Sequence, residues 1–287
     1  MADAARHDLA GRVFLVTGGN TGIGRATVLD LARRGATVRV ACRSEQKGRA
    51  AVAAIAAETG NDAVQFTALD LADLGSVRAC AGRLLARDEP LHVLVNNAGV
   101  AGQRGLTRDG FELAFGVNHL GHFLLTTALL ARLEASASGG VPSRVVNVSS
   151  DSHYAARGID FDAVRRGTRS VTGMPEYAVS KLSNVLFTQE LARRLDGGAV
   201  TSYALHPGVV ASDIWRRIPW PVRPLMKRRM ISPEEGARTS LYCASSPDVA
   251  QETGLFYDKC AHREPSRHAT PDLARRLWDQ SEAWVKP

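Results

Sequence analysis

The sequence predicts a single α/β domain built on a doubly wound parallel sheet with helices on both faces. Two observations carry this expectation. Short apolar, β-branched runs alternate with stretches whose apolar residues recur every three or four positions. The runs are also nearly continuous in Val, Leu and Ile, as strands buried on both faces require. No linker breaks the alternation, so residues 1–287 read as one domain.

Taken in order, the first strand is read at 12–18 (RVFLVTG) and leads into a helix at 22–35. A second strand at 37–42 (TVRVAC) precedes a helix at 45–60, and a third at 63–70 (AVQFTALD) precedes one at 73–88. The fourth, 91–97 (LHVLVNN), is followed by a strongly apolar helix at 118–135. The fifth, 143–150 (SRVVNVSS), is separated from a long amphipathic helix at 176–195 by a non-periodic insert, 151–176. A sixth strand covers 199–207 (AVTSYALHP), and the tail HATPDLARRLWDQSEAWV closes the chain as a helix packed on the core. In such sheets ligands sit at the carboxyl ends of the strands, so the residues just after each strand are the ones to read.

Composition bounds the function. The chain is 45% hydrophobic and 23% charged, the balance of an ordinary globule. Its start, MADAARHDLAGR, has no apolar run, so neither a signal peptide nor an anchor is expected there. No run approaches the ~18 unbroken apolar residues of a membrane span. Cys42, Cys80, Cys243 and Cys260 lie far apart and form no C-x-x-C pair, which fits a reducing, cytoplasmic compartment. The net charge of +7 is spread along the chain, with one basic, aromatic stretch at 215–230. It reads as a solvated or anion-attracting surface rather than a nucleic-acid site.

TGGNTGIG (17–24) stands between the first strand and its helix. Gly18 permits a tight turn, Gly22 lets backbone approach a pyrophosphate, and Gly24 lets helix pack on strand. The amides of Asn20, Thr21, Gly22 and Ile23 would face a phosphate at the helix's positive end. The fold is therefore of the Rossmann type, with a dinucleotide as the expected cofactor. About 20 residues on, an NAD site carries an acidic residue. Here Cys42 stands in that place and Arg43 follows. A guanidinium grips a 2′-phosphate bidentately, with each charge-assisted bond worth roughly 1.5–3 kcal/mol, so NADP(H) is expected over NAD(H). Asp70 and Leu71 after the third strand could meet the adenine, and Asn97, Ala98 and Gly99 after the fourth could meet a ring and ribose. Turn chemistry alone would also explain either group.

Reducing a carbonyl with a nicotinamide needs a proton donor at the oxygen. A tyrosine must be shifted by ~3 pKa units, or ~4 kcal/mol, to exchange its proton near neutrality. A cation at ~4–5 Å supplies that at an effective dielectric of ~20. A lysine one helical turn away is in reach. Tyr154 follows two serines but has Gly158 four residues on, and Tyr203 has Pro207. Only Tyr177 has a lysine there, Lys181 in YAVSK, on an amphipathic helix. Tyr177 is therefore the expected acid, and Tyr154 a loop residue near the substrate.

The glycine turn, NNAG, the Ser-Ser strand end and Y-x-x-x-K together resemble the single-domain short-chain dehydrogenase/reductase family, over residues 11 to about 260. The resemblance implies Tyr177 as general acid or base, with Lys181 holding the nicotinamide ribose and lowering the tyrosine pKa. It implies Ser150 on the carbonyl oxygen and Asn118 fixing a water beside Lys181. His206, Pro207 and Gly208, with Val210 beyond, match a turn beside the nicotinamide. Ser150 and Tyr177 are 27 positions apart, against about half that in typical members. The insert, ACRS, SKLSNVLFTQELARRL and YALHPGVV resemble the retinol-dehydrogenase-like and WW-domain-oxidoreductase-like branch. That branch implies NADP(H) with lipophilic aldehydes, ketones or alcohols. Its members often carry an N-terminal anchor, unlike this start, so a soluble bacterial relative is expected. The family's pairing through helices 118–135 and 176–195 implies a homodimer.

The remaining signals are weaker. His119 and His122 form an H-x-x-H pair without an acidic partner, so no metal is expected. The segment 208–232 falls where the family places a substrate loop, and its Trp215 and Trp220 suit a lid or a membrane-contact patch. The expected function is NADP(H)-dependent hydride transfer to or from a lipophilic carbonyl or alcohol. The alternative is a non-catalytic NADP(H)-binding redox sensor, which would have no need of a tuned acid.

Overall fold

The computed structural model describes residues 7–209 and 231–286. Among them an eight-stranded sheet runs in the order β3-β2-β1-β4-β5-β6-β7-β8. The strands are β1 (Val13–Thr17), β2 (Thr37–Cys42), β3 (Val64–Ala68), β4 (Val93–Asn96), β5 (Ser143–Val148), β6 (Val200–His206), β7 (Leu255–Asp258) and β8 (Ala261–His262). The first seven are parallel and β8 returns antiparallel. All six strands read from the sequence form, within a residue or two of their expected ends. Every residue of β1, β5 and β6 is buried, while the edge strand β3 leaves Gln65 and Ala68 exposed. Strand order reverses between β1 and β4, and this opens a crevice at their carboxyl ends.

Helices α1 (Gly22–Arg33) and α2 (Glu45–Thr59) cover one face, joined by α7 (Pro233–Ser245). On the other face lie α3 (Leu74–Leu85), α5 (Gly121–Ser136), α6 (Met174–Arg194) and the closing α8 (Pro271–Val285). The helix expected at 118–135 starts earlier. It opens as α4 (Leu113–Phe115), passes through a π-helical turn at Gly116–Leu120, and continues as α5. Glu112 caps it by accepting from the Phe115 amide at 2.9 Å. The span Leu113–Ser136 is long and apolar enough to cross a membrane, but 78% of its apolar window is buried inside the protein, as in a core helix.

β7, β8 and α7 were not among the elements expected. β7 is only four residues long, too short for a periodic signal. α7 carries a start signal all the same: Ser232 caps the Glu235 amide at 3.1 Å and Pro233 occupies the first turn. The insert forms two short 3₁₀ turns, Asp151–Ala155 and Ala163–Arg165, not a lobe of its own. Most of the substrate loop expected at 208–232, with Val210, Trp215 and Trp220, lies outside the described residues.

The broad apolar faces of α5 and α6 are filled from within the chain. Trp278 of α8 packs its ring 5.0 Å from Phe123 and 5.9 Å from Phe187, with the Arg194 guanidinium 4.5 Å over it. Trp284 sits edge-on to Phe111 and Phe115, and Ser281 meets His119 Nε2 at 2.9 Å. Replacing a buried Trp with Ala costs ~3–5 kcal/mol. Trp278→Ala is therefore expected to lower the free energy of unfolding, measured in urea, by that amount, and a loss under ~1 kcal/mol would show that α8 is not part of the core.

Candidate active site

The crevice at the β1–β4 reversal holds a cavity of about 370 Å³. Every residue of the expected cofactor set lines it except Gly208 and Val210. Gly208, at φ +87°, follows the lining residue Pro207, and Val210 is outside the described residues.

The glycine turn has the shape that its sequence implies. Gly18 (φ +66°) and Gly22 (φ +53°) lie in the left-handed region that glycine adopts freely. A Cβ on Gly24 would fall 2.3 Å from the Gly18 carbonyl oxygen, so helix and strand can approach only through a bare Cα. The first-turn amides of α1 have no carbonyl one turn back, and their residues face the cavity. Such a cradle fits a pyrophosphate. Arg43 is exposed at the cavity edge and forms no ion pair among the described residues, while Cys42 beside it is buried. Asp70 makes a turn, its carboxylate accepting from the Ala72 amide at 3.0 Å, and Asp73, not Asp70, caps α3.

Thr17 ties the cavity floor together. Its hydroxyl oxygen accepts from the amides of Asn97 and Ala98, each at 2.9 Å, and also meets His122 Nε2 at 2.9 Å. The Asn97 side-chain amide donates to the Thr17 carbonyl at 2.8 Å.

The expected acid and its lysine line the same cavity. α6 is fixed to the end of β5 by a pair of reciprocal bonds. Lys181 Nζ donates to the Val148 carbonyl at 2.8 Å, and the Ser149 hydroxyl donates to the Lys181 carbonyl at 2.7 Å. The Asn184 amide donates to the same Val148 oxygen at 3.1 Å. Ser150, one residue past Ser149, stands beside Tyr177 and pulls its pKa down, while its hydroxyl accepts from the Ser152 amide at 3.1 Å. Lys181 Nζ lies 5.5 Å from the Tyr177 ring centre. Asn118 stands in the π turn, where its side chain accepts from the Val100 amide (2.8 Å) and donates to the Val100 carbonyl (3.0 Å) and Ser180 hydroxyl (2.9 Å). It does not line the cavity, but only Gly99 separates it from Lys181: a Cβ there would lie 3.2 Å from Asn118 Oδ1 and 3.7 Å from Lys181 Nζ.

Among the protein's own groups burial pushes the Tyr177 phenol up and Ser150 pulls it down. Burial also pushes Lys181 down, to about 7. Both groups lose water together, and a lysine that is half neutral near pH 7 exerts only part of a full charge.

Tyr154 has its hydroxyl committed, donating to the Glu264 carbonyl at 2.5 Å. Its neighbour His153 is pinned between the Ser150 carbonyl (2.6 Å) and the Ser266 amide (3.1 Å). His119 and His122 point to different partners, Ser281 and Thr17, so they do not converge on one ion. Sequence reading missed Thr17, Ser149 and Ser180 as holders of the site. Their only signal was position, at strand ends and one residue from a named group.

The burial of Lys181 has a measurable sign. Its folded pKa lies below the unfolded 10.5, so the folded state resists its proton and stability rises as pH climbs from about 7 toward 10.5. Lys181→Met is expected to stabilise the protein by ~1–3 kcal/mol at pH 6, a gain that fades toward pH 10. Urea unfolding at the two pH values measures it, and a variant less stable than wild type at pH 6 would contradict it.

A family model described as short chain dehydrogenase matches residues 12–220. Retinol dehydrogenase 12 of Mus musculus is 46% identical over 281 residues, spanning 95% of this chain and 86% of that protein. Retinol dehydrogenase 13 of Homo sapiens is 43% identical over 96% of this chain and 85% of its own length. Among solved structures, a protein from Mycobacterium paratuberculosis superposes with a TM-score of 0.76 at 36% identity, covering 96% of this chain and 94% of that one. The RhlG/NADP active-site complex of Pseudomonas aeruginosa superposes at 0.71 with 27% identity, covering 88% and 96%. With the glycine cradle and the Tyr177 and Lys181 side chains gathered at one cavity, the match over most of the chain shows that this protein belongs to the short-chain dehydrogenase family.

Proposed function

We propose that the protein is an NADP(H)-dependent oxidoreductase that interconverts a lipophilic aldehyde or ketone and its alcohol. The observation that carries this reading is that Tyr177 and Lys181 line the cavity of the glycine cradle, with Ser150 close enough to the phenol to lower its pKa. The cofactor, when bound, supplies or accepts the hydride. The chain's own residues manage the oxygen. The Ser150 hydroxyl orients it, and Tyr177 donates its proton in reduction or takes it up in oxidation. Lys181, held by the Val148 carbonyl, places positive charge beside the phenol whenever it is protonated. Asn118, across Gly99 from Lys181, is the group from which a water could reach that ammonium.

NADP(H) over NAD(H) rests on Arg43, exposed at the cavity edge and without an ion pair among the described residues, and on Cys42 in place of a carboxylate at the end of β2. The lipophilic substrate rests on Val100, Leu113 and Val117 along the cavity wall and on relatives named for retinol, an apolar alcohol. Four free thiols, three of them buried, suit a cytoplasmic setting. A homodimer pairing through α5 and α6 would have to use the parts of them that α8 leaves uncovered.

Two experiments test the proposal. NADPH is expected to bind at least tenfold tighter than NADH in a fluorescence titration, and Arg43→Ala to remove most of the difference, the share of one or two charge-assisted bonds of ~1.5–3 kcal/mol. Equal binding of the two cofactors by wild type would end the NADP(H) reading. In a steady-state assay with all-trans-retinal or decanal, Tyr177→Phe is expected to lower kcat by at least ~10²–10⁴ while retaining NADPH binding, the usual worth of a positioned acid. A variant within tenfold of wild type would reject Tyr177 as the proton donor.

A further inference from the structure

His122 is fully buried, sits one turn after Asn118, and belongs to no role assigned above. Its two ring nitrogens meet different parts of the site. Nδ1 lies 3.0 Å from the Asn118 backbone carbonyl, and Nε2 lies 2.9 Å from the Thr17 hydroxyl. Asn118 belongs to the π turn beside Lys181, and Thr17 holds the Asn97 and Ala98 amides at the cavity floor.

These partners determine the ring's proton. A carbonyl only accepts, so Nδ1 must carry hydrogen. The Thr17 oxygen already accepts two amide hydrogens at 2.9 Å, which fills its lone pairs. Its own hydrogen must then be donated, and Nε2 is nearer than its other acceptor, the Val95 carbonyl at 3.4 Å. Nε2 is thus the acceptor and the imidazole is neutral. Burial favours the same state, since it drives the His122 pKa down to about 4 with the Lys181 charge adding to the effect.

We propose that His122, fixed as its neutral Nδ1–H tautomer, is a positioning residue that couples the floor of the cofactor cradle to the turn carrying Asn118. The ring forms one continuous chain of donors: the Asn97 and Ala98 amides to Thr17, Thr17 to His122, and His122 to the Asn118 carbonyl. Whatever settles the cavity floor also settles the turn beside Lys181. A residue that only fills space would need neither nitrogen. This inference rests on the proposed reaction for its kinetic readout but not for its spectroscopic one.

The test uses two variants that each keep one end of the ring. His122→Asn retains a donor where Nδ1 stands and loses the acceptor for Thr17. His122→Gln retains an acceptor near Nε2 and loses the donor to Asn118. Long-range ¹H–¹⁵N correlation on the wild-type protein, needing no turnover, should show the His122 ring protonated at Nδ1 alone. With NADPH as ligand and all-trans-retinal or decanal as substrate at saturating NADPH, His122→Asn should raise the NADPH Kd about tenfold and lower kcat less. His122→Gln should lower kcat about tenfold and raise Kd less, and His122→Leu should suffer both. A ring protonated at Nε2 would overturn the proposal, as would Asn and Gln variants with the same Kd and kcat. If wild type binds NADPH but reduces neither carbonyl, the proposed reaction fails, while the tautomer and the Kd contrast still decide the role of His122.

Discussion

The site depends on a lysine kept out of water. Lys181 is buried to 4% exposure, and its ammonium is held by one backbone oxygen, that of Val148 at the end of β5. A buried cation without a carboxylate partner is costly, and the cost shows as a pKa brought down to about 7. That cost places a proton-exchanging group at neutral pH beside the phenol of Tyr177. The same bond aligns α6 with β5, so the chemistry and the docking of the helix share one contact. Ser149 returns a hydrogen bond to the Lys181 carbonyl, and this fixes where the next residue, Ser150, must lie.

Around that contact the fold leaves little freedom. Gly24 cannot carry a side chain because the Gly18 carbonyl occupies the place where a Cβ would be. Gly121 is held likewise, since a Cβ there would stand 2.7 Å from the Leu71 carbonyl. The π turn at Gly116–Leu120 widens one helical turn, and such turns often mark functional sites because they shift side chains off the regular register. Here the shift leaves Asn118 bonded to the loop after β4 and to Ser180 of α6 at once. Three elements distant in sequence therefore meet at one asparagine.

How much of this was legible in the sequence depends on the kind of constraint. The glycine turn was readable because only glycine tolerates its backbone angles and close approach. Tyr177 was readable because a helix brings the fourth residue on, Lys181, to the same face. The six central strands were readable from unbroken β-branched runs. The π turn was not, because nothing in GVNHLGHF distinguishes a five-residue turn from an ordinary one. The fall in the Lys181 pKa was not either, because it follows from packing by β5 and α6 together. His119 and His122 looked like a pair from their spacing, yet successive turns of one helix carry them to α8 and to β1. β7 escaped notice because four residues show no period.

The 27-residue separation of Ser150 from Tyr177 raises the question of how so long a loop keeps them in contact. Loop length costs little once both ends are fixed, since closure entropy grows only with the logarithm of length. Both ends here are fixed independently of the insert. Ser150 follows from β5 and Tyr177 from α6, which the Val148 and Ser149 bonds have already joined. The insert need only return to its start, and it is pinned along the way. His153 accepts from the Ser266 amide, and Tyr154 donates to the Glu264 carbonyl. Glu112 accepts from Thr168 at 2.5 Å, and its amide bonds the Val164 carbonyl at 2.8 Å. Burial pushes the Glu112 carboxyl up while the bonds from Thr168 and the Phe115 amide pull it back, so the clamp is a desolvated one. The added residues thus extend the wall beside the site through Gly173, packed on Gly102 and Gln103, without moving Ser150 or Tyr177. A longer insert in the same place would alter what the site admits before it altered how the site reacts.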